Sequence, residues 1–500
     1  MKRLNINYKI SSIIVFLMLF RVFHLGGSID SPHAWRQFDT NQYIEGYYYD
    51  DAPFLAPTVC WMGGHKTLIL EFPLPEYAVA QLYKIFGPHL IVARLFFLLF
   101  FVLAMVYLYK SLRLVFDNWV PEFAVLIAGT MPLALYYSTA IHIDFFSISF
   151  ALAMLYFSMK AIRDQNFKTL LIALGCAMIA MLVKAPYAFY FALPILLYAQ
   201  QQGKLRWFLY RSPIFVLPVI ALILWVKYSK AVNAQAPDWS LIPNYNKFTE
   251  MWYWYFGTMN QRSYWQTWYL IAERVYIEVL GLFGSLVALI GLISYKKSKS
   301  YWWSLSVLLG TIIYVAIFFN LNLKHNYYQI PFVICCSIFI AMGLQWIYDR
   351  INTAQDFKFI PILLIVVTIL GEYSFFAEKN YYKDNYYIDR VSSEIRKFTD
   401  RDDLVIVSYG GLTPQCPVIL QPAGRYGWSI PIHDFKPEQA VKLWKESGAS
   451  KLAIVYGGYF EGELQYFYEA MPNKKSVLLD RNGLVLYMCD LDFDWTRVAE

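Results

Sequence analysis

The chain has 500 residues, of which 58% are hydrophobic, 19% aromatic and only 16% charged. Such a composition excludes a soluble protein of ordinary make-up and indicates a polytopic membrane protein. The formal net charge of +7 does not argue for nucleic acid, because the excess Lys and Arg falls in short loops between apolar spans, where membrane orientation accounts for it.

The basic start, Lys2, Arg3 and Lys9, precedes an apolar run from Ile10 to about Phe23. Arg21, His24 and a Gly pair follow it in place of a small-x-small cleavage site, so it reads as a retained first span. A long hydrophilic and aromatic loop (26–89) comes next, rich in acid: Asp30, Asp39, Glu45, Asp50, Asp51, Glu71 and Glu76. Within it Ser31 and Pro32 read as an N-cap and first helical residue. On the helix that follows, Arg36, Asp39 and Tyr43 share one face, while Trp35 and Phe38 lean toward an apolar neighbour. The segment is expected to lie on a membrane surface and display its polar face, with the Asp39 carboxylate as the leading candidate for the reacting group.

Ten further spans are predicted, near 91–109, 120–138, 144–159, 168–184, 186–200, 212–228, 274–294, 301–320, 328–347 and 358–373, giving about eleven in all. Alternate loops carry Lys110/Arg113, Lys160/Arg163/Lys168, Lys204/Arg206/Arg211, Lys296/Lys297/Lys299 and Arg350/Lys358 on the side of the basic N-terminus, which is therefore expected to be cytoplasmic. Every long hydrophilic segment then falls outside. One of these, 229–273, is dense in Trp and Tyr and reads as a lid at the headgroup level. The expected division is a transmembrane domain over 1–375, carrying the outer loops 26–89 and 229–273, and a soluble extracytoplasmic α/β domain over 376–500. In the latter, 403–408 and 451–456 read as strands, 437–447 and 461–471 as helices, and 476–479 with 484–489 as a hairpin around Asp480-Arg481-Asn482-Gly483. None of the six cysteines has metal-type spacing; Cys416 and Cys489 share this region, which leaves a disulfide open.

Charged groups at span ends, all on one side, are the informative features: Arg36, Asp39, Lys66 and Glu71, then His142 and Asp144, Lys184, and later Lys324 and His325. Ionisable residues near hydrocarbon are costly and mark sites. Carboxylates can take a proton from a hydroxyl or hold a divalent metal, and cations can neutralise a phosphate leaving group. This combination suits glycosyl transfer from a lipid phosphate, since no ATP is available outside the membrane. Lys66 and Arg94 read as structural, at snorkelling positions.

The segments His33-Ala34-Trp35-Arg36-Gln37-Phe38-Asp39-Thr40, Glu71-Phe72-Pro73-Leu74-Pro75-Glu76-Tyr77, Ala93-Arg94, Asp144, Lys184-Ala185-Pro186 and His325-Asn326-Tyr327-Tyr328-Gln329-Ile330-Pro331, in this order, resemble the bacterial dolichyl-phosphate-mannose-type glycosyltransferases (glycosyltransferase family 39-like) of the GT-C fold. Protein O-mannosyltransferases and lipid A aminoarabinose transferases are related to that group. The resemblance covers about the first 340 residues. It implies Asp39 as catalytic carboxylate, Asp144 as the second acidic residue, Glu71 as a metal or phosphate-site ligand, and Lys184 with His325, Tyr327 and Tyr328 near the lipid phosphate. Asp39 is followed by Thr40 where the eukaryotic protein mannosyltransferases have Asp-Glu, so a protein acceptor does not follow.

The reading is an inverting transferase of a hexosyl or pentosyl group, working on the outer face of a bacterial inner membrane. Its donor would be a polyprenyl-phosphate sugar and its acceptor a glycan, lipid or protein. Asp39 is the general base, Asp144 and Glu71 position substrate or metal, and Arg36, Lys184 and His325 stabilise the phosphate. Glu71, Asp144 and His325 are the candidate ligands of a divalent metal ion. A secondary transporter or flippase would show paired halves and mid-membrane charges, neither of which is seen; a non-catalytic glycan-assembly protein with the same fold is the other rival.

Overall fold

The computed structural model describes residues 8–235, 252–294, 298–351, 359–383, 386–410, 416–457, 463–480 and 483–492. The basic residues Lys2, Arg3, Lys296, Lys297 and Lys358, residues 236–251 of the expected aromatic lid and the hairpin turn at Arg481-Asn482 lie outside the described residues. The chain forms two compact units. One comprises Met1–Gly27, Leu90–Tyr228 and Asn246–Tyr382; the other comprises Ser28–His89, Ser229–Tyr245 and Lys383–Glu500.

The first unit is helical. Among the described residues eight helices are long and apolar enough to cross a membrane: Leu90–Leu112, Asp144–Asp164, Phe167–Lys184, Ser212–Asn233, Trp265–Ser294, Lys299–Ile317, Asn326–Arg350 and Phe359–Asn380. Each coincides with a predicted span. The other three predicted spans are shorter or broken, for local reasons. The first is the twelve-residue helix Tyr8–Leu19. The 120–138 span divides into Val120–Thr130 and Pro132–Tyr137, because Met131 precedes a proline and takes an extended ψ of 141°. The 186–200 span divides into Pro186–Phe189 and Ala192–Gln201, where Pro194 has no N–H to offer the Tyr190 carbonyl.

Buried Gly and Ala let the helices approach closely. A Cβ on Gly343 would stand 2.0 Å from the Val287 carbonyl oxygen, and one on Gly291 would stand 2.0 Å from that of Phe339. Helices 281–294 and 330–350 therefore meet backbone to backbone, a contact that only small residues allow. Two buried arginines tie the first apolar segment down. Arg21 donates to Ser138 Oγ (2.7 Å) and to the Leu17 and Gly129 carbonyls. Arg94 donates to the Gly26 carbonyl at 2.7 Å and to those of Leu25 and Gly27; its role is structural as expected, but it is buried on these carbonyls and does not snorkel to water.

The second unit contains a two-residue ladder, β1 (Thr58–Val59) with β2 (Lys66–Thr67), and a five-stranded sheet. Its strands are β3 (Leu404–Tyr409), β4 (Tyr426–Pro431), β5 (Lys451–Gly457), β6 (Lys475–Leu478) and β7 (Leu484–Asp490) in the order β4-β3-β5-β7-β6. The β3 strand pairs in parallel with β4 and β5, and β7 runs antiparallel between β5 and β6. Strands β3, β5, β6 and β7 and the helix Pro437–Ser447 lie where the sequence places them. Strand β4 is not evident there, because Gly427, Trp428 and Pro431 interrupt any alternation. All six cysteines are free thiols, so Cys416 and Cys489 are not bonded; Cys489 pairs across the ladder with Leu452.

Loop 28–89 is built onto this sheet. Gly63 N–H donates to the Gly427 carbonyl (2.7 Å), Gly427 N–H donates to the Cys60 carbonyl (2.8 Å), and Tyr426 OH donates to Asp50 at 2.5 Å.

Candidate active site

Two clusters hold the candidate residues, one in each unit. In the second unit the helix Ala34–Tyr49 carries Arg36, Asp39 and Tyr43. It starts two residues later than the sequence indicates. His33, at φ 55°, occupies the N-cap position without a side-chain cap, while Ser31 is drawn into a bridge with Lys383. The polar face is also not on display. Arg36 is 8%, Asp39 2% and Tyr43 3% exposed, which corrects the expectation of a surface helix presenting polar groups. Packing of Tyr43 explains the difference: its hydroxyl donates to the Leu68 carbonyl (2.6 Å) and accepts from Leu70 N–H (3.0 Å). Asn233 clamps the intervening residue, accepting from Ile69 N–H (2.8 Å) and donating to its carbonyl (2.9 Å).

This fixed segment leads directly to Glu71, whose Oε2 accepts from Arg36 Nη2 at 2.5 Å. Among the described residues neither oxygen of Asp39 closes a hydrogen bond; the Trp61 N–H faces it without doing so. Burial pushes the Asp39 carboxyl up to about 7, against the pull of the Arg36 charge and Trp61. Glu76, 2% exposed, is pushed up to about 8, again by burial first. Trp61 and Glu76 were not singled out from the sequence. Glu76 lies in the Glu71-Phe72-Pro73-Leu74-Pro75-Glu76 motif, whereas no pattern distinguishes Trp61 from the other fifteen tryptophans.

In the first unit Asp144 opens the helix Asp144–Asp164 and Lys184 closes the helix Phe167–Lys184. Ser147 Oγ donates to the Ala180 carbonyl at 3.1 Å and holds the two helices in register. Lys184 Nζ reaches both carboxylate oxygens of Asp144, at 2.7 and 2.8 Å. His142 Nδ1 and the Tyr187 hydroxyl contact the same carboxylate. Asp144 and His142 are fully buried and Lys184 is 5% exposed, so the charges compensate one another where neither could stand alone.

Lys184 also lies over the rings of Tyr328 (4.2 Å) and Tyr327 (4.5 Å), a cation–π arrangement on two aromatic faces. His325 stacks on Tyr327 with ring centroids 5.0 Å apart. Asn326, between them in sequence, donates to Glu278 at 2.6 Å and accepts from the Tyr137 hydroxyl at 2.6 Å. The structure thus brings Asp144, Lys184, His325, Tyr327 and Tyr328 together, with His142, which the sequence marks at a span end without giving it a role, and with Tyr187 and Glu278, which it does not single out. Lys66, by contrast, is an exposed residue in β2.

The expected metal set of Glu71, Asp144 and His325 does not fit. Among the described residues no three His, Cys, Asp or Glu side chains converge as a metal requires. An ammonium group already occupies both oxygens of Asp144, and a second cation there would meet like charge.

Residues 71–229 match the family model described as dolichyl-phosphate-mannose-protein mannosyltransferase. No curated protein matches the chain. Among solved structures, ArnT from Cupriavidus metallidurans bound to undecaprenyl phosphate superposes with a TM-score of 0.60 at 12% identity, over 97% of this chain and 98% of its own. The Archaeoglobus fulgidus oligosaccharyltransferase superposes at 0.54 and 11% identity, over 90% of this chain and 70% of its own. The arabinofuranosyltransferase AftD from Mycobacteria superposes at 0.55 and 12% identity, over 97% of this chain and 40% of its own. The chain carries the fold of the GT-C glycosyltransferases, and its residues 71–229 are similar to the mannosyltransferase family model.

Proposed function

We propose that this protein is an inverting glycosyltransferase that moves a sugar from a polyprenyl-phosphate carrier to an acceptor hydroxyl on the extracytoplasmic face. The observation that carries the reading is Asp39: a carboxylate 2% exposed, with no closed hydrogen bond among the described residues and its titration lifted to about 7. A general base works best when its pKa lies near the operating pH and its lone pairs are not already engaged. Asp39 takes the proton of the acceptor hydroxyl as that oxygen bonds to the anomeric carbon. The bond from that carbon to the phosphate oxygen breaks, and polyprenyl phosphate leaves.

Arg36, held by Glu71, and Lys184, held by Asp144, are the cations suited to the phosphate charge. The Tyr327 and Tyr328 faces confine Lys184, and His325 extends that wall. Acidic, Lys-poor outer loops and basic alternate loops support a cytoplasmic N-terminus in a bacterial inner membrane. The bound undecaprenyl phosphate of the ArnT structure supports a donor of this class. No step here runs through a divalent metal, because the donor set does not suit one.

The test is turnover of purified protein with polyprenyl-phosphate hexoses and pentoses, comparing wild type with Asp39→Asn. A loss of 100-fold or more is expected for removal of a general base. A folded Asp39→Asn protein that transfers sugar at the wild-type rate overturns the reading.

A further inference from the structure

The first unit has a second cluster of cations that the proposed chemistry does not use. The helix Asp144–Asp164 starts at the buried Asp144 and ends at Gln165, about 30 Å away at 1.5 Å per residue. At this far end the chain turns through Gly203 and Lys204 into the short helix Leu205–Leu209, which leads to Arg211 and the helix Val216–Asn233.

Two clefts adjoin at this elbow. One, of about 370 Å³, is lined by Gln165, Lys204, Arg206, Trp207, Tyr210 and Arg211. The other, of about 650 Å³, is lined by Leu205, Leu209 and Pro213 together with Arg206 and Tyr210, so two residues belong to both. The polar cleft contains three cations, and among the described residues no carboxylate pairs with any of them. Lys204 Nζ donates to Gln165 Oε1 (3.3 Å). Arg211 donates to the Trp207 carbonyl (3.1 Å) and lies 4.6 Å from the Trp207 ring centre. Arg206 is exposed. Leu209 and Tyr210 of the apolar cleft are exposed, as are Val216 and Leu217 a few residues on, side chains suited to acyl chains rather than to water.

We propose that this elbow is a binding site for the phosphate headgroup of an anionic phospholipid, with Lys204, Arg206 and Arg211 on the phosphate and one acyl chain against Leu205, Leu209 and Pro213. Charge complementarity selects the ligand, since three cations without an acidic partner among the described residues attract an anion. The continuous apolar cleft selects a lipid over a soluble phosphate, and the position at the end of spanning helices sets it at headgroup depth. This site is independent of the donor phosphate at the opposite end of the Asp144 helix.

The full-length protein in nanodiscs or detergent would be titrated with phosphatidylglycerol, phosphatidylcholine or inorganic phosphate, and bound lipid read by native mass spectrometry. The proposal expects retained phosphatidylglycerol, no competition by millimolar inorganic phosphate, and about fivefold weaker binding for each cation removed. Arg206→Gln alone tests the site without disturbing a contact; Lys204→Gln with Arg206→Gln and Arg211→Gln tests it fully. Thermal unfolding that matches wild type marks the variants as folded. Equal retention by wild type and Arg206→Gln, equal binding of phosphatidylcholine, or displacement by inorganic phosphate alone would overturn it.

Discussion

Replacing Asp39 by Asn should lower activity and raise stability, and the two effects should separate with pH. Asp39 moves from 3.8 in the unfolded chain to about 7 in the folded protein, chiefly because burial disfavours its charge. A carboxyl whose folded pKa is raised keeps its proton in the folded state while the unfolded chain loses it. Below pH 4 both states hold the proton and the group contributes nothing. Between about 4 and 7 stability declines as pH rises, and above 7 the folded state bears the full cost of a buried anion. Three pK units at about 1.4 kcal/mol each give about 4 kcal/mol. Asn is a neutral isostere and escapes that cost. The stabilisation of Asp39→Asn over wild type should therefore be near zero at pH 4 and grow to about 4 kcal/mol at pH 8, read as a widening gap in Tm. Wild-type turnover should rise through pH 7 as the base ionises, while the variant stays low and flat. A Tm gap that does not change with pH, together with wild-type turnover that is level between pH 6 and 8, would refute the reasoning.

Lys184→Met should cost about 3–5 kcal/mol, because it leaves the Asp144 carboxylate buried without its cation, and adding Asp144→Asn should recover much of that loss in a denaturation series. Asn233→Ala removes both hydrogen bonds to Ile69 and should cost about 2 kcal/mol; if the fixed segment serves to hold Glu71, KM for the donor should rise more than kcat falls. Gly343→Ala forces a methyl group against the Val287 carbonyl and should destabilise by about 3 kcal/mol, seen as a lower Tm with no change in the pH profile.

Long apolar runs announced the eight spanning helices, since a bilayer demands length and little else. The departures sit at prolines: Pro132 and Pro194 break runs that hydropathy alone reads as continuous. The charged candidates were legible because an ionisable residue at a span end is conspicuous, and Asp144, Lys184 and His325 do come together. Their partners were hidden for a different reason. Tyr187 is one of 41 tyrosines, and its approach to Asp144 depends on the turn at Ala185-Pro186. Likewise, Arg36 and Asp39 were placed on one face correctly, but their burial was not foreseen. It comes from Tyr43 and Asn233 gripping residues 68–70, a long-range contact that helical periodicity does not contain.

The way Tyr426 and Gly427 are joined to loop 28–89 has a consequence for biosynthesis. The strand that Cys60 and Asp50 contact is made roughly 390 residues after Asp39. At about 5–20 residues per second, the helix bearing Asp39 waits about 20–80 s for the sheet that completes its unit. An incomplete chain that has already inserted its spans therefore carries loop 28–89 without the sheet edge to which Asp50, Cys60 and Gly63 are bonded in the finished protein.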